Sequence, residues 1–221
     1  PCANACGTAA GLYDPLTEIA DICQERKIWL HVDAAHGGGA LVSRKYRYLM
    51  AGIERADSLI WDAHKMLRTP AVCAAVLVRN HCHLDHAFTQ EASYLFHKKD
   101  QPGFDFMPRS LECTKSALSL TLFMTLAAMG ESGLEQHVDF IVDLAKQSAD
   151  YISAQDDFEV AVTPETDILC FRNGDNNDEQ LEIRRRLLEK GNFFISTTLY
   201  KGSRWLRLVF MNPAVTLGDI K

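Results

Sequence analysis

An alternation of helix-forming and strand-forming segments in the first 80 residues constrains the fold more than any other feature of the sequence. Residues 14–26 predict a helix, with Asp14 as its N-cap, a proline in its first turn and apolar residues at helical spacing. Residues 28–32 predict a short strand, and residues 58–61 and 71–78 predict two more. Helices that alternate with short apolar strands are typical of an α/β domain with a buried, mostly parallel sheet.

Polar residues follow two of these predicted strands. Asp33 comes directly after the first strand, and the segment Asp62-Ala63-His64-Lys65 follows the second. The carboxyl ends of parallel strands meet at one edge of a sheet, where α/β proteins bind their ligands. Asp33 and Lys65 are therefore candidate site residues. Composition alone leaves open that Asp33 is a loop or cap residue and that Lys65 is solvated, since most aspartates and lysines are exposed.

The pattern changes beyond residue 108. A long helical stretch is predicted from about residue 111 to 154, with a break at the glycines of 130–133. We expect residues 1–154 to belong to a large domain with its long connecting helices, and residues 155–221 to form a small α/β domain. Its predicted strands are 158–162, 167–171, 193–198 and 205–211, its predicted helix is 179–190, and a last helix begins near Thr216.

Charge and composition exclude several classes of function. The 221 residues carry a net charge of −6, whereas nucleic-acid binding requires a field of lysine and arginine. No segment approaches the ~20 apolar residues of a membrane helix, and no signal-peptide pattern opens the sequence. The seven cysteines are scattered without a CxxC pair, as in proteins of a reducing compartment. We therefore expect a cytoplasmic protein that binds neither nucleic acid nor membrane.

Two motifs connect the sequence to a known family. His31-Val32-Asp33-Ala34-Ala35-His36-Gly37-Gly38 and Asp62-Ala63-His64-Lys65-Met66 resemble the motifs of the group II pyridoxal-phosphate-dependent amino-acid decarboxylases. Residues 29–78 are most similar to the glutamate and cysteine-sulfinate branch, and the resemblance continues in register from about Gly7 to the Met-Asn-Pro-Ala-Val-Thr run near the C terminus.

The resemblance implies an α/β fold of the PLP-dependent transferase-like type, fold type I. The chain would hold the later part of the large domain and most of the small C-terminal α/β domain. It also implies a homodimer with sites at the subunit interface, and pyridoxal 5′-phosphate as the cofactor.

The same resemblance implies roles for residues around the cofactor. Lys65 would hold pyridoxal phosphate as a Schiff base, which requires a deprotonated amine. Asp33 would keep the pyridine nitrogen protonated, and the small side chain of Ala35 would let the ring lie flat. The remaining cofactor contacts implied by the family are Thr8, Asp62 and His64.

Two further residues concern the substrate. Tyr94 matches the tyrosine of the family's mobile catalytic loop, which returns a proton to Cα after carbon dioxide leaves. Arg207 lies in an otherwise apolar strand and matches an arginine that binds a substrate carboxylate through its bidentate fork. A surface aromatic for Tyr94 and an internal ion pair for Arg207 are the structural alternatives. The implied reaction is decarboxylation of an amino acid, first of all an acidic one such as glutamate, aspartate or cysteine sulfinate, to the amine and carbon dioxide.

The sequence departs from the family pattern at several positions. His36 stands where the family has tryptophan or tyrosine, Asp62 stands where the glutamate branch has asparagine, and Lys115 stands where arginine is usual. Cys6-Gly7-Thr8 replaces Gly-Thr-Thr. None removes a residue that the chemistry needs, but they leave the substrate undetermined. Much of the family's pocket lies upstream of Thr8, so we expect these 221 residues alone to have weak or no decarboxylase activity.

Two rival interpretations remain. His81, His83, Asp85 and His86 form an HxHxDH pattern, which is typical of zinc-dependent metallo-β-lactamase-like hydrolases. Ala87 stands where that family has glycine, and we expect a solvated histidine-rich turn with no metal. The other rival is a non-catalytic relative that acts as a structural or regulatory partner, against which the retained site residues argue.

Overall fold

Two four-stranded sheets and four helices make up the structure, a computed structural model that describes residues 1–88, 109–112, 114–191 and 193–221. The first sheet contains β1 (Cys2–Asn4), β2 (His31–Asp33), β3 (Ser58–Asp62) and β4 (Ala74–Val78). The second contains β5 (Phe158–Val160), β6 (Ile168–Asn173), β7 (Ser196–Tyr200) and β8 (Ser203–Val209). The helices are α1 (Leu16–Arg26), α2 (Cys82–Ala87), α3 (Leu118–Ser153) and α4 (Asn177–Lys190).

The first sheet has the order β1-β2-β3-β4, and its first three strands are parallel. Asp33 at the end of β2 is in register with Ile60 in β3. β4 is antiparallel to β3. A parallel connection needs a crossover of a dozen or more residues, usually a helix, and the short segment 63–73 between β3 and β4 contains no helix. The predicted mostly parallel sheet is therefore confirmed, with an antiparallel fourth strand.

Helix α1 occupies the predicted range, but the prediction that Asp14 is its N-cap is wrong. Pro15 is the N-cap residue and makes no side-chain cap hydrogen bond. A carboxylate oxygen of Asp14 instead accepts hydrogen bonds from the backbone N–H of Asn4 at 2.7 Å and from its side-chain amide at 3.1 Å. Asp14 thus ties the loop before α1 to the end of β1.

Helix α3 begins at Leu118, later than predicted, and is interrupted at the predicted place. Gly130 has φ 65° and ψ 173°, values outside the helical region that only glycine adopts at low cost. Beyond the kink one face of the helix is buried, with Val138, Ile141 and Ala145 at 0% exposure. Before the kink it exposes apolar side chains, and Phe123 is 62% exposed.

The second sheet is antiparallel with the order β5-β6-β8-β7. One hydrophobic core joins both sheets and α3, and it includes Val32 of the first sheet and Leu206 of the second. A smaller core lies where the loop after β1 meets the second sheet, and its buried members are Cys6, Ala10, Ile168, Cys170 and Trp205. We call this contact, between residues 5–14 with 36–37 on one side and β6 with β8 on the other, the seam.

Two further expectations concern the last helix and membrane-spanning segments. The predicted last helix is a 3-10 turn, Leu217–Asp219, with a capping box between Thr216 and Asp219. In the part of the chain that the structure describes, none of the helices is long and apolar enough to span a bilayer. The division at residues 154 and 155 stays a prediction.

Candidate active site

The carboxyl ends of β1, β2 and β3 lie side by side, as parallel strands require. Backbone hydrogen bonds continue beyond the strands: Ala5 N–H donates to the Asp33 carbonyl at 2.7 Å, and Asp62 N–H donates to the Ala35 carbonyl at 3.2 Å. The loop that contains Asp33 and Ala35 is therefore bonded to the loop that leads to Lys65. The two candidate residues from separate strand ends thus lie on one rigid edge of the sheet.

Asp33 is held by its own loop. Its Oδ1 accepts a hydrogen bond from the Ala35 N–H at 3.1 Å, which is the geometry of an Asx turn. The side chain is half-buried, and Ala35 is buried at 8% exposure. The turn fixes the direction of the carboxylate at the strand end.

Lys65 is paired with a carboxylate of the same loop. Its Nζ lies 2.9 Å from Oδ2 of Asp62, with the lysine side chain 33% exposed and the aspartate 13% exposed. The pair holds the amine in place at the strand end and leaves it accessible to solvent. The cofactor contact that the resemblance implies for Asp62 stays a prediction; in this structure its carboxylate pairs with Lys65.

His64 lies between the Lys65 loop and the segment that enters β4. Its Nδ1 is 2.9 Å from the Cys73 carbonyl oxygen and 3.1 Å from the Cys73 backbone nitrogen. Its Nε2 is 3.9 Å from Oδ2 of Asp62. The imidazole is thus anchored through one nitrogen, and the other points toward the carboxylate that pairs with Lys65.

Arg207 and Thr8 meet across the seam although 199 residues separate them. Arg207 Nε donates a hydrogen bond to the Thr8 carbonyl at 3.1 Å. Within residues 1–88, 109–112, 114–191 and 193–221, no carboxylate forms an ion pair with Arg207. The internal ion pair considered as an alternative for Arg207 is therefore not formed there, and its guanidinium can accept an external anion.

Sequence reasoning missed a group of polar contacts along the seam. His36 Nε2 lies 2.6 Å from Oδ1 of Asp167, which is 0% exposed. The Tyr13 hydroxyl donates to the Gly37 carbonyl at 2.9 Å, and the Tyr13 N–H donates to Glu165 at 2.8 Å. One signal was available: Asp167 directly precedes the apolar run of β6, where a carboxylate needs a partner.

Burial controls the titration of two side chains at the seam. Desolvation raises the pKa of the Cys6 thiol to about 12, with Asp167 raising it further and Arg207 acting in the opposite direction. Desolvation likewise raises the pKa of the Tyr13 hydroxyl, with contributions from Cys6 and Asp167. Both shifts favour the neutral form of the side chain near neutral pH.

Two further residues singled out in the sequence remain to be placed. Tyr94 lies outside the described residues, so its role stays a prediction. Lys115 is exposed and lies 3.6 Å from Glu112 on the surface.

The histidine-rich run is not the solvated turn that we expected. It folds as α2, in which residues two apart point in different directions. His83 packs edge-to-face on Trp29 with ring centroids 4.8 Å apart. Arg109 forms an ion pair with Asp85, with Nε 2.6 Å from Oδ1. Among the described residues, one group brings three potential metal-ligand atoms within 4.8 Å of one another, and it consists of His81, Cys82 and Asp85. The ligand set of His81, His83 and His86 is therefore not assembled.

The mostly parallel sheet with Asp33 and Lys65 at adjacent strand ends, joined to a second, antiparallel sheet, is the fold of the type I pyridoxal-phosphate proteins that this structure resembles. Comparison with known proteins specifies the family. The model of the pyridoxal-dependent decarboxylase conserved domain matches residues 1–173, and the chain belongs to this family. The predicted fold, family and cofactor are confirmed.

Named relatives agree with this assignment. The acidic amino acid decarboxylase GADL1 of Homo sapiens is 33% identical over 238 residues, which cover 99% of this chain and 46% of the relative. The cysteine sulfinic acid decarboxylase of Rattus norvegicus is 32% identical over 233 residues, covering 96% and 47%. The crystal structure of Oryza sativa TDC with PLP and tryptamine has a TM-score of 0.92 at 25% identity and covers 99% of this chain and 47% of that one. The chain thus spans about half the length of the relatives it matches.

The residues of this edge fit the family's cofactor. Pyridoxal phosphate needs an amine for its aldehyde and a carboxylate for its ring nitrogen, and Lys65 and Asp33 supply these groups from bonded loops. Ala35, two residues beyond Asp33, has a small side chain that is 8% exposed. The donor set is that of a pyridoxal-phosphate site rather than that of a metal centre.

Proposed function

We propose that this chain is part of a decarboxylase that removes the α-carboxylate of an acidic amino acid as carbon dioxide and releases the amine. The observation that carries the proposal is the placement of the Lys65 amine and the Asp33 carboxylate on hydrogen-bonded loops at one sheet edge. Membership of a pyridoxal-dependent decarboxylase family supports the reaction class. When bound, pyridoxal phosphate supplies the electron sink that decarboxylation requires.

Lys65 and Asp33 have separate tasks in this proposal. Lys65 would hold the cofactor through its amine, which Asp62 orients at the strand end from 2.9 Å. Asp33 would hold the ring nitrogen and favour its protonated form, because an adjacent carboxylate stabilises a positive charge. His64 and Thr8 would orient the cofactor, and Tyr94 would supply the proton that Cα needs after carbon dioxide leaves.

Arg207 is the structural basis for proposing an acidic substrate. A half-buried guanidinium without a carboxylate partner in the described structure is suited to a substrate carboxylate, which it binds through paired hydrogen bonds. The names of the human and rat relatives refer to acidic amino acids and to cysteine sulfinic acid, which supports the same substrate class.

A homodimer and a cytoplasmic location are part of the proposal. The first half of α3 exposes Leu120, Phe123 and Met124 at 58%, 62% and 59%. Exposed apolar groups of this kind mark contact surfaces, and a second copy of the chain is the occupant that we propose.

Borohydride trapping tests the assignment of Lys65. The chain is incubated with pyridoxal phosphate, reduced and digested, and the modified peptide is found by mass spectrometry. We expect the reduced cofactor on Lys65, no adduct at that peptide in Lys65→Ala, and an unchanged result in the matched control Lys115→Ala. A Lys65→Ala protein that retains the same reducible cofactor would refute the assignment.

Product analysis tests the reaction. Amine formation from acidic, basic and aromatic amino acids is measured with the 221-residue chain and with a longer protein that contains it. We expect turnover of acidic substrates by the longer protein and weak or no turnover by the chain alone. If the cofactor binds but no amino acid yields an amine, the non-catalytic partner becomes the better interpretation.

A further inference from the structure

A cavity of about 650 Å³ lies on the face of the second sheet that is turned away from the seam. Leu206 and Leu208 of β8 line it, and they alternate along the strand with Trp205, which belongs to the core at the seam. Ile152 of α3 and Leu187 of α4 line it from the two helices. Helix α3 packs on β5 and β6, and α4 packs on β7 and β8. We call this cavity, which lies between two helices over one sheet face, the groove.

The 3-10 turn Leu217–Asp219 stands at the edge of the groove, which Asp219 and Ile220 help to line. The turn begins as helices begin. Thr216 is its N-cap residue, and Thr216 and Asp219 form a complete capping box, in which the Thr216 N–H donates to Asp219 Oδ2 at 2.8 Å. This backbone hydrogen bond lowers the pKa of the Asp219 carboxyl, so the carboxylate that closes the box is ionised near neutral pH.

Apolar residues of the turn already face the core. Val215 precedes the cap and Ile220 is the fourth residue after it, which are the two positions of a hydrophobic staple. Both pack against the main core, and so does Leu217. Leu217 and Ile220 are three residues apart and therefore share one face of a helix. Ile220 itself has φ −91° and ψ −23°, in the right-handed helical region. A continuation of this backbone would therefore start as a helix with its apolar face toward the core.

We propose that the groove is the docking site of an amphipathic helix that continues from the turn Leu217–Asp219. The turn has the capping box of a helix N terminus but holds three residues, less than one turn of an α-helix. Short helices are marginal in water, and most of their stability in proteins comes from packing an apolar face. The groove offers that apolar surface directly beside the turn. The proposal depends on neither the cofactor nor the reaction.

The charges at the rim specify the helix further. Asp156 and Asp157, which follow the end of α3, are exposed and line the groove. Lys221 places its Nζ 5.6 Å from the centre of the Tyr151 ring, which also lines the groove. The helix that fits this surface therefore has leucine-like residues on one face, at helical spacing from Leu217 and Ile220, and lysine or arginine at its borders.

Two extensions of the chain beyond Lys221 test the proposal. Each adds the same set of leucine, alanine, glutamate and lysine residues, about 14 in total or roughly four helical turns. In the in-phase extension the leucines recur on the face of Leu217 and Ile220. In the out-of-phase extension the order is shifted so that they lie on the opposite face, which keeps composition and helix propensity unchanged.

The in-phase extension should raise Tm by about 4–8 °C over that of the 221-residue chain. It should also slow amide hydrogen exchange in residues 217–221 by about tenfold or more, because the turn becomes part of a docked helix. The out-of-phase extension should do neither. Phe158→Asp, which places a charge on the rim, should remove the gain in Tm, measured against the unextended chain with the same substitution. Phe194→Asp is the matched control, since Phe194 is 80% exposed and does not line the groove.

Two results would overturn the proposal: equal effects of the two extensions, or an in-phase gain that Phe158→Asp leaves intact. A second copy of the chain is the competing occupant. If Phe158→Asp, but not Phe194→Asp, converts a dimer of the unextended chain into a monomer in sedimentation experiments, the groove belongs to that copy and the proposal is wrong. If Phe158→Asp does not fold, amide exchange in the two extensions of the unsubstituted chain decides.

Discussion

Gly37→Ala tests whether the loops of the candidate site are packed as tightly as the structure indicates. A Cβ at position 37 would lie 2.7 Å from the Ala5 carbonyl oxygen, the Cys6 backbone nitrogen and the Tyr13 hydroxyl. Ordinary contact begins at 3.4 Å, so each neighbour would have to move by about 0.7 Å. Two of the three atoms are backbone, and Ala5 is also bound to Asp33 at 2.7 Å.

The expected cost follows from that geometry. Overpacking costs about 1–3 kcal/mol in typical cores, and the upper end, about 3 kcal/mol, applies because the backbone cannot rotate away. For a chain of this size each kcal/mol lowers Tm by about 2–4 °C, so we expect a decrease of about 6–12 °C. Because Gly37 lies two residues beyond Ala35, the affinity for pyridoxal phosphate should also fall.

Gly133→Ala is the matched control. Its Cβ would meet only the Cβ of Met129, at 3.4 Å, in a helical part of α3. Replacing a helical glycine by alanine stabilises by about 0.8–1 kcal/mol, which should raise Tm by about 2–4 °C. Thermal unfolding by circular dichroism measures both variants. A Gly37→Ala chain with the Tm of the wild type would refute the packing of the Asp33 loop against the loop after β1.

Two further predictions concern surface charges and metal. The hydrogen bonds and charge of Arg44 lower the pKa of Glu135 to about 2, so this pair stabilises the fold above the ordinary glutamate pKa and loses its effect as the pH falls toward 2. Glu135→Gln should therefore lower Tm near neutral pH, with the difference from the wild type vanishing in acid; a difference that persists at the acid end would contradict this. Because Arg109 pairs with Asp85 in the run 81–86, the chain should hold less than one equivalent of zinc after dialysis; elemental analysis that finds stoichiometric zinc, lost in His81→Gln, would restore the hydrolase interpretation.

Local patterns predicted the parts of the fold that depend on neighbouring residues. Apolar spacing placed α1, and Gly130 marked the break in α3, because the backbone freedom of glycine is a property of the residue itself. The ends of β2 at Asp33 and of β3 at Asp62 were predicted to within one residue, because strand-forming residues followed by turn-forming residues are also a local signal. The motifs around Asp33 and Lys65 were sufficient to identify the family.

Local patterns failed where a distant partner determined the outcome. Asp14 has the sequence context of an N-cap, but the amide groups of Asn4 compete for its carboxylate. The run 81–86 was expected to be a solvated turn, but it forms helix α2, in which His83 packs on Trp29 and Asp85 pairs with Arg109. In both cases the side chain has the same chemistry as the prediction assumed and a different neighbour.

The sequence by itself determined the class of fold, the family and the strand ends at which Asp33 and Lys65 stand, because these follow from residue type and short-range order. Only the tertiary structure decided that His36 binds Asp167, that Arg207 binds the Thr8 carbonyl, and that the loop after β1 packs against the second sheet. These contacts join residues more than 100 positions apart. Their formation depends on how two sheets come together around a shared core, which no local pattern of residues records.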